Sequence, residues 1–139
     1  MKLFLDSAIT DEIKKYYNTG LIDGVTTNPT LIYKSGRDPE DVYQELIDIG
    51  IPDISMEVVG DENTMIGEGR RLIKKFGNRQ STIKVPCTVE GLAACRALSD
   101  EGARVNVTLI FSLAQSILAF KSGATLSLIH ISEPTRQAS

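Results

Sequence analysis

The sequence predicts an α/β fold of parallel strands alternating with helices, and three observations predict it. Strand and helix signals alternate from the first residue to Thr125. The strands recur at roughly 20–30 residue intervals, the rhythm of βα units in a parallel sheet. Their sequences are largely aliphatic, as expected of strands covered by helices. With 139 residues, a net charge of −3 and 42% hydrophobic residues, the chain has the make-up of one globular domain. No linker or second domain is visible.

Lys2–Asp6 reads as the first strand, and Thr10-Asp11-Glu12 caps a helix that ends near Gly20. Asp23–Asn28 is the second strand, followed by a short helix over Pro29–Ser35 that stops at Gly36. Asp38-Pro39-Glu40-Asp41 supplies an N-cap, a proline at the first helical position and acids in the first turn; Gly50 closes that helix. Ile54–Val59 is the third strand, and Asp61–Phe76 is a long helix ending at Gly77. Thr82–Pro86 is the fourth strand, with Thr88 capping a helix that runs to Ser99. Arg104–Ile110 is the fifth. Ser112-Leu113-Ala114-Gln115 is a capping box for a helix that ends at Gly123, and Ala124-Thr125 enters a sixth strand.

The pattern then breaks. Leu126-Ser127-Leu128-Ile129-His130-Ile131-Ser132-Glu133-Pro134-Thr135-Arg136 continues neither a strand nor a cap. It resembles the translated text of a transposase adapter, so residues 126–139 read as a non-native tail and stay outside the fold.

The mild charge excludes a nucleic-acid partner, and no apolar run approaches the ~20 residues of a membrane span. The apolar N-terminal stretch is too short for a signal peptide and ends in Asp6, which reads as a cytoplasmic location. Cys87 and Cys95 form no CxxC pair and read as reduced thiols, neither a disulfide scaffold nor a zinc site. There is no tryptophan, and the single histidine, His130, lies in the tail. Acid–base chemistry therefore falls to carboxylates, lysine, tyrosine and hydroxyls. No Gly-rich phosphate loop of common spacing is present, which also counts against a pyridoxal-phosphate enzyme. Gly67-Glu68-Gly69 lies inside a helix pattern and reads as packing. Arg70, Arg71, Lys74 and Lys75 fall at helical spacing and read as a solvated face.

One residue defies this bland picture. Lys84 stands in Ser81-Thr82-Ile83-Lys84-Val85-Pro86, where every neighbour argues for burial. A lysine amine at its ordinary value near 10.4 is neutral in only about one copy in 2,500 at pH 7. Burial favours the neutral form, a nucleophile suited to attack a carbonyl and form a Schiff base. Bringing such an amine to about 7 costs roughly 4–5 kcal/mol, which a fold bears for function or for a good ion pair. The alternative is a lysine paired with a carboxylate or snorkelling out at the strand end.

Alternate strand side chains share a face. The polar residues fall on one parity in each strand: Asp6; Thr26 and Asn28; Ser55 and Glu57; Thr82 and Lys84; Asn106 and Thr108. The other parity is mostly aliphatic: Leu3, Leu5, Val25, Val58, Ile83, Val85, Val105, Val107 and Leu109, with Thr27 the exception near its strand end. The polar groups also lie toward the C-terminal strand ends, where active sites sit in (β/α)₈ barrels and in open α/β sheets. A flavodoxin-like receiver domain has a similar rhythm. It needs an aspartate ending strand three, a hydroxyl ending strand four and a lysine ending strand five, whereas this chain offers Glu57, Lys84 and Thr108.

Three motifs carry a family resemblance. Asp23-Gly24-Val25-Thr26-Thr27-Asn28-Pro29-Thr30-Leu31 resembles the transaldolase signature. Ile83-Lys84-Val85-Pro86-Cys87-Thr88 with Glu90-Gly91-Leu92 resembles its Schiff-base lysine motif. Asn106-Val107-Thr108-Leu109-Ile110-Phe111-Ser112, then Ala114-Gln115, resembles its fifth-strand motif. The similarity runs in order through residues 1–125 and matches the short subfamily that includes fructose-6-phosphate aldolases.

The resemblance implies a (β/α)₈ TIM barrel, here its first five βα units and the start of strand six. It also implies a class I aldol mechanism with no metal and no cofactor, acting on small-molecule sugar phosphates of the pentose phosphate pathway. Lys84 is then the Schiff-base nucleophile and Asp6 the acid–base at the cleaved bond. Glu57 and Thr108 handle protons through a bound water, Asn28 and Asn106 hold substrate hydroxyls, and Thr26 supports the site. Transaldolases carry glutamate at the position of Glu57, where the aldolases that release dihydroxyacetone tend to have glutamine, so transaldolase is favoured. Full-length relatives are expected to be homo-oligomers. The family's sixth-strand serine, its arginine-bearing phosphate segment and strands six to eight are missing, so the chain as written is expected to be inactive.

Overall fold

The computed structural model describes residues 1–110 and 112–129. Six parallel strands form one sheet in chain order: β1 (Phe4–Asp6), β2 (Gly24–Thr26), β3 (Ile54–Glu57), β4 (Ser81–Pro86), β5 (Arg104–Ile110) and β6 (Leu126–Ile129). Between them run α1 (Thr10–Tyr17), α2 (Pro29–Lys34), α3 (Pro39–Ile49), α4 (Glu62–Phe76), α5 (Val89–Asp100) and α6 (Leu113–Lys121). An open doubly wound sheet reverses its strand order partway, whereas a barrel wall does not. The unbroken order β1-β2-β3-β4-β5-β6 therefore makes this a partial (β/α)₈ barrel and removes the receiver-domain alternative.

The helices start where side chains satisfy their first free N–H groups. Asn28 caps α2, Asp38 caps α3, Asp61 caps α4, Thr88 caps α5 and Ser112 caps α6, each accepting a backbone N–H of the first turn. The start of α1 differs from expectation. Ile9 takes the cap position without a side-chain bond, and Thr10 is the first helical residue, its Oγ1 accepting from Arg37 Nη1 at 3.4 Å.

The core lies between sheet and helices. Val25, Ile54, Met56, Ile83, Val85, Val105 and Val107 are fully buried, and Ile32, Val42, Leu46, Met65 and Leu98 close over them. Each such side chain contributes about 1.5–3 kcal/mol. Gly69 lets α4 approach α5, since a Cβ there would lie 2.8 Å from Leu98. The Gly67-Gly69 pair thus divides: Gly69 packs, while Gly67 is exposed with nothing close. The basic face is solvated as expected. Arg71 and Lys75 on α4 reach Glu40 on α3 at 3.0 and 2.8 Å, and Arg70 pairs with Glu101.

Two expectations need correction. Leu109, placed among the helix-facing aliphatics, is half exposed with φ of 63°. The pairing of β5 with β6 shifts register between Val107 and Ile110. The extra residue inverts the alternation there, and Ile110 takes the buried place. Nor does the sheet stop at Thr125. Leu126–Ile129 forms β6, pairing in parallel with β5 as Asn106↔Leu126 and Val107↔Ser127. The free edge of β5 supplies the ladder that this segment joins. Residues 130–139, with His130, lie outside the described residues.

Edges and outer helix remain apolar. Leu3 on the β1 side is half exposed, and Leu113, Ile117, Leu118 and Phe120 of α6 are exposed.

Gly91 joins the lysine strand to α5, because a Cβ there would stand 1.9 Å from the Pro86 carbonyl oxygen. Gly91→Ala is expected to lower stability by about 1–3 kcal/mol, read as a lower urea midpoint; an unchanged midpoint refutes the close approach. The hydrogen bonds of Arg71 and Lys75 hold Glu40 down to about 2 from 4.5. A lowered carboxylate stabilises above its ordinary value and loses that stability as pH falls through its folded value. The midpoint difference between wild type and Glu40→Gln is therefore expected to be about 0.5–1 kcal/mol at pH 6 and to vanish as pH falls from 4.5 toward 2.

Candidate active site

Strand register sets the site. Asp6 pairs with Thr26, Thr26 with Ser55, and Ser55 with Thr82. Partners in a parallel pair point to the same side, so these four form one row across the sheet. Two residues further along, Glu57 pairs with Lys84 and Lys84 with Asn106. Pro86 pairs with Thr108, one step nearer the C-terminal ends. The parity read from sequence thus holds in β2 to β4 and in β5 as far as Val107: aliphatic residues lie under the helices, and the polar set shares the other face.

Lys84 is 8% exposed. Its Nζ donates to the Thr27 carbonyl oxygen at 3.3 Å, just beyond the usual N–H···O range. Among the described residues it makes no ion pair, the seven pairs present involving Arg37, Arg70, Arg71, Lys75, Arg96 and Arg104 instead. No carboxylate among the described residues forms an ion pair with this lysine. A buried amine with one long hydrogen bond has poor compensation for lost water.

The other candidates divide. Asp6 is exposed, and its Oδ1 accepts from Thr26 Oγ1 at 3.2 Å, so Thr26 orients that carboxylate. Asn28 spends its Oδ1 on the Thr30 N–H at 2.9 Å, which leaves its amide hydrogens for another acceptor. Glu57 is half-buried and lines a cavity of about 250 Å³ with Tyr33, Tyr43, Val58 and Arg71. Burial pushes the Tyr43 phenol above its ordinary value, with the Glu57 charge acting in the same direction. Asn106 is buried and donates to Ser55 Oγ at 3.2 Å. Thr108 is half-buried, its carbonyl accepting from the Cys87 N–H. Burial raises the Cys87 thiol, which keeps it protonated and a weak nucleophile at neutral pH.

Two contributors escaped the sequence reading. Thr27 supplies the carbonyl that holds Lys84, and a backbone carbonyl leaves no signal in residue type. Ser55 was visible only as a polar residue in phase, although it bonds both Thr27 and Asn106. No group of three or more His, Cys, Asp or Glu among the described residues is placed to hold a metal ion. No described helix is long and apolar enough to cross a membrane.

The fold and site define a partial (β/α)₈ barrel with a buried lysine on its polar face that makes no ion pair among the described residues. The family described as Transaldolase/Fructose-6-phosphate aldolase matches residues 3–132, and the chain belongs to it. It is 50% identical over 126 residues to a probable transaldolase of Ruegeria sp. (strain TM1040), covering 90% of this chain and 57% of that protein. A probable transaldolase of Anaeromyxobacter dehalogenans (strain 2CP-C) is 53% identical with the same coverage. One from Nitrosopumilus maritimus (strain SCM1) is 49% identical, covering 89% of this chain and 55% of its own length. The chain spans a little over half the length of these curated relatives.

Lys84→Met replaces the unpaired amine by an apolar chain of similar length. The substitution is expected to stabilise the fold by about 1–3 kcal/mol, seen as a higher urea midpoint. A lower midpoint would assign Lys84 a structural role.

Proposed function

We propose that the chain is the N-terminal part of a transaldolase that moves a dihydroxyacetone unit from a ketose phosphate to an aldose phosphate. The observation that carries this reading is the buried Lys84, free of any carboxylate partner among the described residues and in register between Glu57 and Asn106. Lys84 Nζ attacks the ketone carbonyl of fructose 6-phosphate or sedoheptulose 7-phosphate. Glu57, Thr108 and a water carry the protons needed to expel hydroxide as water and form the iminium. That iminium accepts the electron pair when the neighbouring C–C bond breaks. Asp6 takes the hydroxyl proton at the cleaved bond, and the aldose phosphate leaves. The three-carbon enamine stays on Lys84 until it adds to an acceptor aldehyde, with Asp6 returning the proton. Asn28 and Asn106 hold substrate hydroxyls. The whole enzyme works without metal or cofactor, in the cytoplasm, within the pentose phosphate pathway.

A fructose-6-phosphate aldolase is the second reading, and Glu57 favours the transferase.

Borohydride reduction of the chain with fructose 6-phosphate is expected to add mass at Lys84, located by peptide mapping. No adduct, together with poor solubility, would identify an inert fragment. In a full-length protein built on this sequence, transfer to erythrose 4-phosphate should outrun release of free dihydroxyacetone. The reverse order would make it an aldolase.

A further inference from the structure

Thr27 is the one polar residue that breaks the aliphatic parity of its strand, and it is completely buried. A hydroxyl so placed is costly unless it finds an acceptor, so its partner is informative. Thr27 Oγ1 donates to the Ser55 carbonyl oxygen at 2.7 Å, and the Thr27 N–H reaches the same oxygen at 3.3 Å. The N–H bond lies just beyond the usual range, so the hydroxyl bond is the firmer of the two. The register between β2 and β3 ends one residue earlier, at Thr26↔Ser55. Beyond it the chain turns into α2, where Asn28 Oδ1 takes the Thr30 N–H at 2.9 Å. The peptide joining Thr27 to Asn28 is therefore anchored by a hydroxyl on one side and by a helix cap on the other. Its carbonyl oxygen is the one that accepts from Lys84 Nζ at 3.3 Å.

We propose that Thr27 is a positioning residue whose hydroxyl, tied to Ser55, fixes the carbonyl on which Lys84 Nζ rests. Valine would fill the same space and restore the aliphatic pattern, but it would leave this strand end on the long N–H bond alone. The carbonyl would then lose its fixed direction, and the amine its acceptor. Lysine carries its amine on a flexible four-carbon stem, which spreads over several rotamers unless the amine is held. With the carbonyl fixed, Nζ stays in the row that Glu57, Lys84 and Asn106 form. The consequence for reactivity rests on the Schiff-base reading of Lys84, whereas the hold on Nζ is independent of it.

The test uses the intact 139-residue chain with Thr27→Val, which keeps the shape and removes the hydroxyl, and Thr27→Ser, which keeps the hydroxyl and removes a methyl. By NMR, the two Hε protons of Lys84 should give separate signals in wild type and Thr27→Ser, and merge in Thr27→Val. Merged signals in the wild type, or separate signals in Thr27→Val, overturn the proposal. At saturating dihydroxyacetone, the rate at which cyanoborohydride traps the Lys84 adduct should fall about fivefold in Thr27→Val, the worth of one hydrogen bond. It should stay within about twofold of wild type in Thr27→Ser, and the half-saturating concentration should be unchanged in both. Thr27→Ser should still lower the urea midpoint through its lost methyl. A trapping rate that follows the midpoint and not the hydroxyl would mark a structural role and overturn positioning. Absence of any adduct in the wild type counts against the Schiff-base reading, and the Hε signals then decide the role of Thr27.

Discussion

Each central strand must satisfy two environments with one alternation of side chains, and the rest of the structure depends on that constraint. Val25, Ile54, Ile83, Val85, Val105 and Val107 give the helices a continuous apolar surface. What remains for the other face is Thr26, Ser55, Thr82, Lys84 and Asn106. Parallel register then aligns those residues into rows without any further instruction. The core and the candidate site are thus two sides of one pattern. A slip of one residue in any strand would exchange them.

The lysine gains its character from what the rows withhold. Glu57 is its Cα partner, yet among the described residues Nζ donates to a backbone carbonyl and pairs with no carboxylate. A carbonyl holds an amine less tightly than an ion pair does, so Nζ is positioned without being tied to a carboxylate. Asp6 stands a row away, oriented by Thr26. Amine and carboxylates are therefore present without pairing to one another among the described residues. The chain's membership of the transaldolase and fructose-6-phosphate aldolase family agrees with this arrangement.

Most of the framework was legible because local rules dictate it. The caps Asn28, Asp38, Asp61, Thr88 and Ser112 and the terminating glycines marked helix ends to within a few residues. The polar parity of Thr26, Ser55, Lys84 and Asn106 could be read straight from the strands. Four features could not be read, each for a physical reason. Thr10 lost its cap role because Ser7 Oγ binds the Ile9 N–H and sets the chain entry one residue earlier. Leu109 left the apolar face because a register shift against β6 depends on a partner strand, not on its own sequence. Leu126–Ile129 became a strand by joining the ladder on β5, an interaction its own composition did not announce. The hold on Lys84 comes from the Thr27 carbonyl, which every residue type possesses.

The unbroken strand order has a consequence for how the chain comes into being. Every strand pairs with the one just before it in sequence, so no strand waits for a distant partner. A chain growing from its N-terminus can add each βα unit to an edge that already exists. By the time Asn106 has emerged from synthesis, Asp6, Thr27, Ser55, Glu57 and Lys84 already have the neighbours that hold them. The polar face is thereby assembled early, and every later element inherits it as a template.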